Sequence, residues 1–459
     1  MWAEPLWNAA SVLLGYSIFC AVIWRRARRG SAPSFLSAPG GDGVLVSYAS
    51  QGGTAERIAR QSAHRLHGKV QVAVLPMNQV NADTLRQYKQ ALFVVSTYGE
   101  GEPPDNALLF ARRYLRRRVQ RGWSGIRYGV LALGDRQYAH FCGFGQSVHE
   151  GLVRNGARPL FEPVLVDRED PQALDQWHGL LNGLGVGNVN ADAEPACAAN
   201  DESAFSAWRL QNRQRLNAGS SGAPVYLLQL VPTDDEGPLP PWDAGDIAQI
   251  RVLDQHKKQQ VRDYSIASLP SDGALELVVR QHQFDDGRLG LGSGYLTSEL
   301  PVGGELPVSI RRNAGFHPPP INQPMILIGN GTGIAGLRAH LKAREQESEQ
   351  SRNWLLFGER NARNDSLFHD ELINWQRRGH LQRLDRTFSR DQKELRYVQH
   401  ALGEAAASLR TWVRQGAHIY VCGSRNGMAE EVDLALRLHL GERCVDKLLA
   451  QQRYRRDVY

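Results

Sequence analysis

Six short apolar runs, each closing on a glycine-bearing loop, constrain the fold of this chain more than any other feature. Three lie early, at 44–48 (VLVSY), 90–96 (QALFVVS) and 128–133 (YGVLAL), and three late, at 325–329 (MILIG), 353–358 (NWLLFG) and 418–423 (HIYVCG). Continuous apolar runs of this length, separated by helical patterns, read as strands buried on both faces of a parallel sheet. Between the two sets, residues 224–307 are β-rich and broken by Pro and Gly, as in a small antiparallel barrel. The chain is therefore expected to be α/β, with a doubly wound domain, a barrel and a second parallel α/β domain in that order.

A length of 459 residues accommodates that number of domains. The content of 42% hydrophobic and 22% charged residues is that of a globular chain. The net charge is +6, and Arg25, Arg26, Arg28 and Arg29 form one cluster, so the rest is near neutral and no nucleic-acid partner is expected. There are 5 cysteines with no CxxC pair, which argues against a disulfide framework or a zinc site, and no metal is expected.

Residues 6–24 are almost wholly apolar, with Trp7 and Trp24 near the ends, Glu4 before and RRARR after. A span of hydrocarbon needs about 20 such residues. The charge order is the reverse of a cleavable signal, and it keeps the rest of the chain on the cytoplasmic side. Residues 1–29 are thus expected to be a single membrane anchor with its basic flank, which would locate the enzyme at the cytoplasmic membrane. A hydrophobic helix docked on a partner is the alternative. Residues 30–43 read as a tether, 44–184 as the first α/β domain, and 185–221 as a second linker with a short helix around Trp208. The barrel is expected over 222–320 and the last domain over 321–459.

The first run feeds SQGGTAE at 50–56, a hydroxyl- and glycine-rich turn opening a helix. Such a turn offers backbone N–H groups and the positive end of the helix dipole to a phosphate. The next two loops, STYGEGEPPDN at 96–106 and LGDRQYAHFC at 133–142, leave the same strand ends and present tyrosines among glycines. Ligands of open parallel sheets bind beyond those ends. Together the loops resemble the flavodoxin-like domain of NADPH-dependent diflavin reductases, the group that includes the flavoprotein subunit of sulfite reductase and NADPH–cytochrome reductase. The resemblance implies an FMN site. Ser50, Gln51, Gly53, Thr54 and Ala55 would hold the phosphate, and Tyr98 and Tyr138 would stack on the ring. Ser96, Thr97, Gly99, Glu100, Gly101, Asn106, Leu133, Gly134, Asp135, His140 and Phe141 would line the site. The family usually has Thr where Gly52 stands.

The later half carries the rest of the resemblance. RDYSIAS at 262–268 is similar to the FAD motif of ferredoxin–NADP reductase-like modules. It implies that Arg262 pairs with pyrophosphate, that Tyr264 covers the ring, and that Asp263 and Ser265 stand beside it. GLGSGYL at 290–296 takes the place of the second FAD segment, through Gly292 and Ser293. GNGTGIA at 329–335, after a strand, resembles the NADP loop and implies pyrophosphate contacts from Gly331, Thr332 and Gly333. Ser389, Arg390, Tyr397 and Gln399 fall where the family grips the 2′-phosphate, which favours NADPH, although the family lysine is replaced by Leu395. Ser265, Cys422 and Asp457 would orient hydride transfer, with Tyr459 covering the flavin. The cofactors implied are FMN, FAD and NADPH. The implied partner is a one-electron acceptor, either a heme protein or a ferric chelate. Too few residues precede Arg262 for the family's helical connecting domain, so the flavin domains are expected to dock directly or swing on a tether. Two other readings stay open: a subunit that works only within a membrane complex, and a flavin sensor without turnover.

Overall fold

The computed structural model describes residues 41–50, 53–98, 101–116, 122–136, 140–168, 170–184, 205–234, 237–347 and 351–459. The first sheet is built from β1 (Gly41–Ala49), β2 (Val72–Pro76), β3 (Tyr88–Ser96), β4 (Arg127–Gly134), β5 (Arg158–Pro159) and β6 (Val164–Asp167). Its order is β2-β1-β3-β4-β5, with β6 also on β4, and every pairing is parallel. The centre of β3 is Ala91, Leu92, Phe93, Val94 and Val95, all buried, so both faces need cover. Helix α1 (Thr54–Leu66) supplies part of it, turning Ala55, Ile58, Ala59, Ser62 and Leu66 inward. Helices α2 (Gly143–Arg154) and α3 (Pro171–Asn182) add Phe144, Val148, Leu152 and Trp177.

The barrel comprises β7 (Ser206–Arg215), β8 (Val225–Pro232), β9 (Ile247–Leu253), β10 (Gln259–Ser265), β11 (Leu275–Arg280) and β12 (Glu305–Arg311). They are antiparallel in the order β10-β9-β12-β7-β8-β11, and a bridge between Ile266 and Leu277 brings the ends of the order together. The second linker is therefore shorter than expected. Residues 206–215 form a strand, with Trp208 and Leu210 buried and the remaining side chains more exposed, where a short helix was expected. The tether boundary moves too, because β1 begins at Gly41.

The last domain has β13 (Met325–Asn330), β14 (Asn353–Glu359), β15 (Leu381–Phe388), β16 (His418–Gly423) and β17 (Tyr454–Val458) in the parallel order β15-β14-β13-β16-β17. Helix α4 (Ile334–Glu347) leaves β13 through the glycine loop. Arg338 on α4 is 7% exposed and ties this domain to the barrel, donating to Ala267 O at 2.8 Å and to the carboxylate of Glu276. Its Nε donates to Glu371 at 2.6 Å. Helix α5 (Glu442–Ala450) precedes β17.

The expectation of a membrane-bound enzyme is corrected. Among the described residues no helix is long and apolar enough to cross a membrane. The anchor 1–29, on which that expectation rested, lies outside the described residues, as do residues 30–40 and 185–204 of the two linkers.

Candidate functional site

Strands β1, β3 and β4 run parallel in register, with Ala49 opposite Val95 and Ser96 opposite Leu133, so their following loops leave one edge of the sheet together. Gly53 adopts φ 86° at the start of α1 and, among the described residues, no side chain caps the helix. Its first amides are therefore left for an outside acceptor. Ser50 donates its amide to Asn106 Oδ1 at 3.1 Å, while its buried hydroxyl has no partner among the described residues. A buried, unpaired hydroxyl beside an uncapped helix start fits a phosphate, and Thr54 and Ala55 open that helix. The other two loops are pressed together. A Cβ on Gly101, at φ 112°, would fall 2.9 Å from His140 Cβ, and Phe144 N donates to Thr97 Oγ1 at 3.3 Å. Gly134 packs on the Cys142 amide, Arg168 lies 3.4 Å from Asp135, and Arg136 covers the Phe141 ring at 5.0 Å. Of the expected set, Gln51, Gly99, Glu100 and Tyr138 lie outside the described residues.

Tyr98, expected to stack on the flavin ring, stands at a contact between two domains. Its ring packs against the core of the last domain and its hydroxyl donates to Val458 O. The two parallel α/β domains dock directly here. Asp105 takes three hydrogen bonds from Arg456: the backbone N–H at 2.8 Å, Nε at 2.9 Å and Nη2 at 2.7 Å. Glu102 pairs with Arg425, Arg112 with Glu442 at 2.7 Å, and Arg113 with Asp446 at 2.9 Å. The Arg112–Glu442 pair is solvent-exposed on both sides and contributes about 0–1 kcal/mol. The Asp105–Arg456 pair, in which Nε and Nη2 converge on Oδ1 and whose side chains are 24% and 16% exposed, is the stronger contact.

On the barrel, Ser265 ends β10 and donates to Asp457 Oδ2 at 2.6 Å, and Cys422 Sγ approaches the same oxygen at 3.7 Å. Burial raises the Asp457 carboxyl above the ordinary carboxylate range, against the opposing pull of the Ser265 hydrogen bond. Burial likewise pushes the Cys422 thiol well up, and the Asp457 charge adds to it. Tyr459 donates its hydroxyl to Thr332 Oγ1 at 3.0 Å, and the residue as a whole is 54% exposed. Thus Ser265, Cys422, Asp457 and Tyr459, expected as one group, stand together. Arg262 and Tyr264 lie against Gly292, where a Cβ would come 2.6 Å from the Tyr264 hydroxyl. Ser293 Oγ accepts from His282 N at 3.1 Å. Asp263 pairs with Arg311 at 2.7 Å, and the buried Nη1 of Arg311 has no partner among the described residues.

The glycine loop after β13 is dictated by contact. A Cβ on Gly333 would sit 2.1 Å from Cys422 O, and Gly331 takes φ 56°. Arg280 Nη2 stands 3.2 Å from the Gly331 Cβ position and donates to Glu359 at 2.7 Å. At the far strand ends, Ser389 N and Arg390 N donate to Glu359 O and Arg360 O, both at 2.9 Å, and Tyr397 is 44% exposed. Among the described residues, Thr387 Oγ1 and Gln399 Oε1 are buried without hydrogen-bond partners. Sequence reasoning missed Arg280, Arg311 and Arg456. Only the last adjoins a motif, and nothing in its neighbours signals a contact with Asp105.

Comparison with known proteins finds matches to the first and last domains. Residues 46–177 match the flavodoxin family model, and residues 327–433 match the oxidoreductase NAD-binding domain. The sulfite reductase [NADPH] flavoprotein alpha-component of Bacillus subtilis (strain 168) is 28% identical over 539 aligned positions, covering 91% of this chain and 89% of the relative. That of Vibrio cholerae serotype O1 is 27% identical over 550 positions, covering 94% and 89%. That of Yersinia enterocolitica is 28% identical over 551 positions, covering 92% and 91%. Alignments longer than the 459-residue chain mean that these relatives carry segments it lacks.

Proposed function

We infer that this chain, an NADPH-dependent flavoprotein reductase of the diflavin kind with FMN, FAD and NADPH as cofactors, passes electrons from NADPH through FAD and FMN to a one-electron acceptor, either a heme protein or a ferric chelate. The observation that carries this order is the docking of the flavodoxin-like loops on β17, the strand that bears Asp457, beside Tyr459. The bound cofactors supply the hydride and its conversion to single electrons. The chain supplies grip, orientation and shielding.

The residues fit each group. Ser50, Thr54 and the α1 amides would hold the FMN phosphate, with Asn106 fixing the loop. Arg262, Tyr264 and Ser293 would hold FAD. Gly331–Gly333 would admit the NADPH pyrophosphate, and Ser389 and Arg390 would meet its 2′-phosphate. At the reacting end, Asp457 accepts from Ser265 and Cys422, so both hydrogens are held at known atoms while Tyr459 covers or uncovers the site. Those side chains exclude water from the buried carboxylate. The absence of the long segments present in the relatives suits direct docking of the first domain on the last.

The test is Thr54→Asp. An aspartate suits a helix start, so the fold is kept, but its charge opposes a phosphate there. NADPH is expected to reduce FAD normally in this variant, while cytochrome c reduction stops with the loss of FMN. Unimpaired cytochrome c reduction by a variant shown to lack FMN contradicts the proposed order.

A further inference from the structure

We propose that docking of the FMN domain positions Asp457 for hydride transfer, with Asp105 and Tyr98 acting as positioning residues through β17. This rests on the reductase function proposed for the chain. Strand β17 is at the edge of its sheet and pairs with β16 on one side only. In a parallel strand the N–H and C=O of a residue point to the same side, and successive residues alternate. Ile419 N donates to Arg453 O at 2.7 Å and Tyr459 N to Gly423 O at 3.1 Å, so 453, 455, 457 and 459 face β16. Residues 454, 456 and 458 therefore face the open edge.

That edge is met by the FMN domain. Asp105 Oδ2 accepts from Arg456 N at 2.8 Å, and the Tyr98 hydroxyl donates to Val458 O. The residues on either side of Asp457 are thus both held by the same docked loop. A third hold comes through Arg425, whose amide donates to Tyr459 O at 3.0 Å and whose guanidinium pairs with Glu102. A short edge strand without such partners presents open amides and carbonyls and belongs to the low-stability end of a fold. The 2.6 Å contact from Ser265 to Asp457 depends on that strand keeping its place. Withdrawal of the FMN domain frees β17, and hydride entry slows while no exit for electrons is docked. Entry and exit of electrons are coupled through one strand.

The experiment uses the full chain carrying Asp105→Asn or, separately, Tyr98→Phe, which keeps the aromatic ring. FMN and FAD are quantified first in each. The readouts are the anaerobic single-turnover rate of FAD reduction by NADPH, its pH profile, and hydrogen exchange of amides 454–458, which does not depend on turnover. Asp105→Asn is expected to slow hydride transfer at least tenfold, shift its acidic limb, and speed β17 exchange at least tenfold. The KM for NADPH should stay within about twofold. Tyr98→Phe is expected to do the same to a smaller degree. Asp105→Asn combined with Arg456→Gln should be no slower than the slower single variant, as for two groups acting through one contact. Wild-type hydride rates and β17 exchange in both single variants with full flavin content overturn the proposal. A wild-type chain that binds both flavins yet shows no FAD reduction by NADPH overturns the underlying reductase reading, and this proposal with it.

Discussion

Replacing Ser265 by alanine removes one hydrogen bond at a buried carboxylate, and the geometry sets the size of the effect. The bond to Asp457 Oδ2 is 2.6 Å long, Asp457 is 7% exposed, and the remaining neighbour on that oxygen is Cys422 Sγ at 3.7 Å. A hydrogen bond to a charged group contributes about 1.5–3 kcal/mol. If that orientation matters only in the transition state, the rate falls roughly 10- to 150-fold, since each 1.36 kcal/mol is tenfold. The loops that grip the dinucleotide are untouched, so the loss belongs in kcat and not in KM. The pH profile should move as well. Burial already raises the Asp457 carboxyl, and the Ser265 hydrogen bond is the main force holding it down. Without Ser265 the carboxyl rises further, ionisation needs a higher pH, and the acidic limb shifts upward. Anaerobic stopped-flow reduction of FAD across pH, with NADPH and its deuterated form, reads both effects. A rate within twofold of wild type with an unmoved limb, or a loss confined to KM, refutes the reasoning.

Other substitutions test the remaining contacts. Arg390→Ala removes a guanidinium from the expected 2′-phosphate grip and should raise the KM for NADPH by roughly 10-fold or more, as for a lost charge-assisted bond. Its KM for NADH should not change, and equal effects on both dinucleotides refute the assignment. Gly333→Ala would place a Cβ 2.1 Å from Cys422 O, where only backbone could yield. It should cost about 1–3 kcal/mol of stability by overpacking and abolish NADPH oxidation while FAD is retained, as melting and flavin release would show. Arg338→Ala leaves Glu276, 7% exposed, without its ion pair, and should cost about 3–5 kcal/mol in urea unfolding. A loss under 1 kcal/mol would show that the pair contributes little to holding the barrel on the last domain.

The features legible in the sequence were those that local chemistry determines. The apolar runs became parallel strands because both faces are covered, and the glycine loops sit where close contact leaves no room, as between Gly333 and Cys422. The group of Ser265, Cys422 and Asp457 was found through its motifs although its members are 192 and 35 residues apart. The strand Ser206–Arg215 was not legible. Only Trp208 and Leu210 of it are fully buried, and its polar QNRQR end reads like a linker. Nor was the docking of the first domain on β17. Asp105 and Arg456 are 351 residues apart, and an acidic residue in a glycine-rich loop reads equally as a solvated rim. A tyrosine among glycines, as at Tyr98, suggests a stacking aromatic, and nothing in its neighbours indicates that its hydroxyl meets Val458 O.

The most direct test of the two-flavin account is the flavin content of the purified chain. Heat release and separate quantification of FMN and FAD are expected to give close to one equivalent of each, with FMN lost selectively in Thr54→Asp. FAD without FMN in the wild-type chain contradicts it. The loop after β3 would then serve to dock on β17, and the three loops would not form a second flavin site.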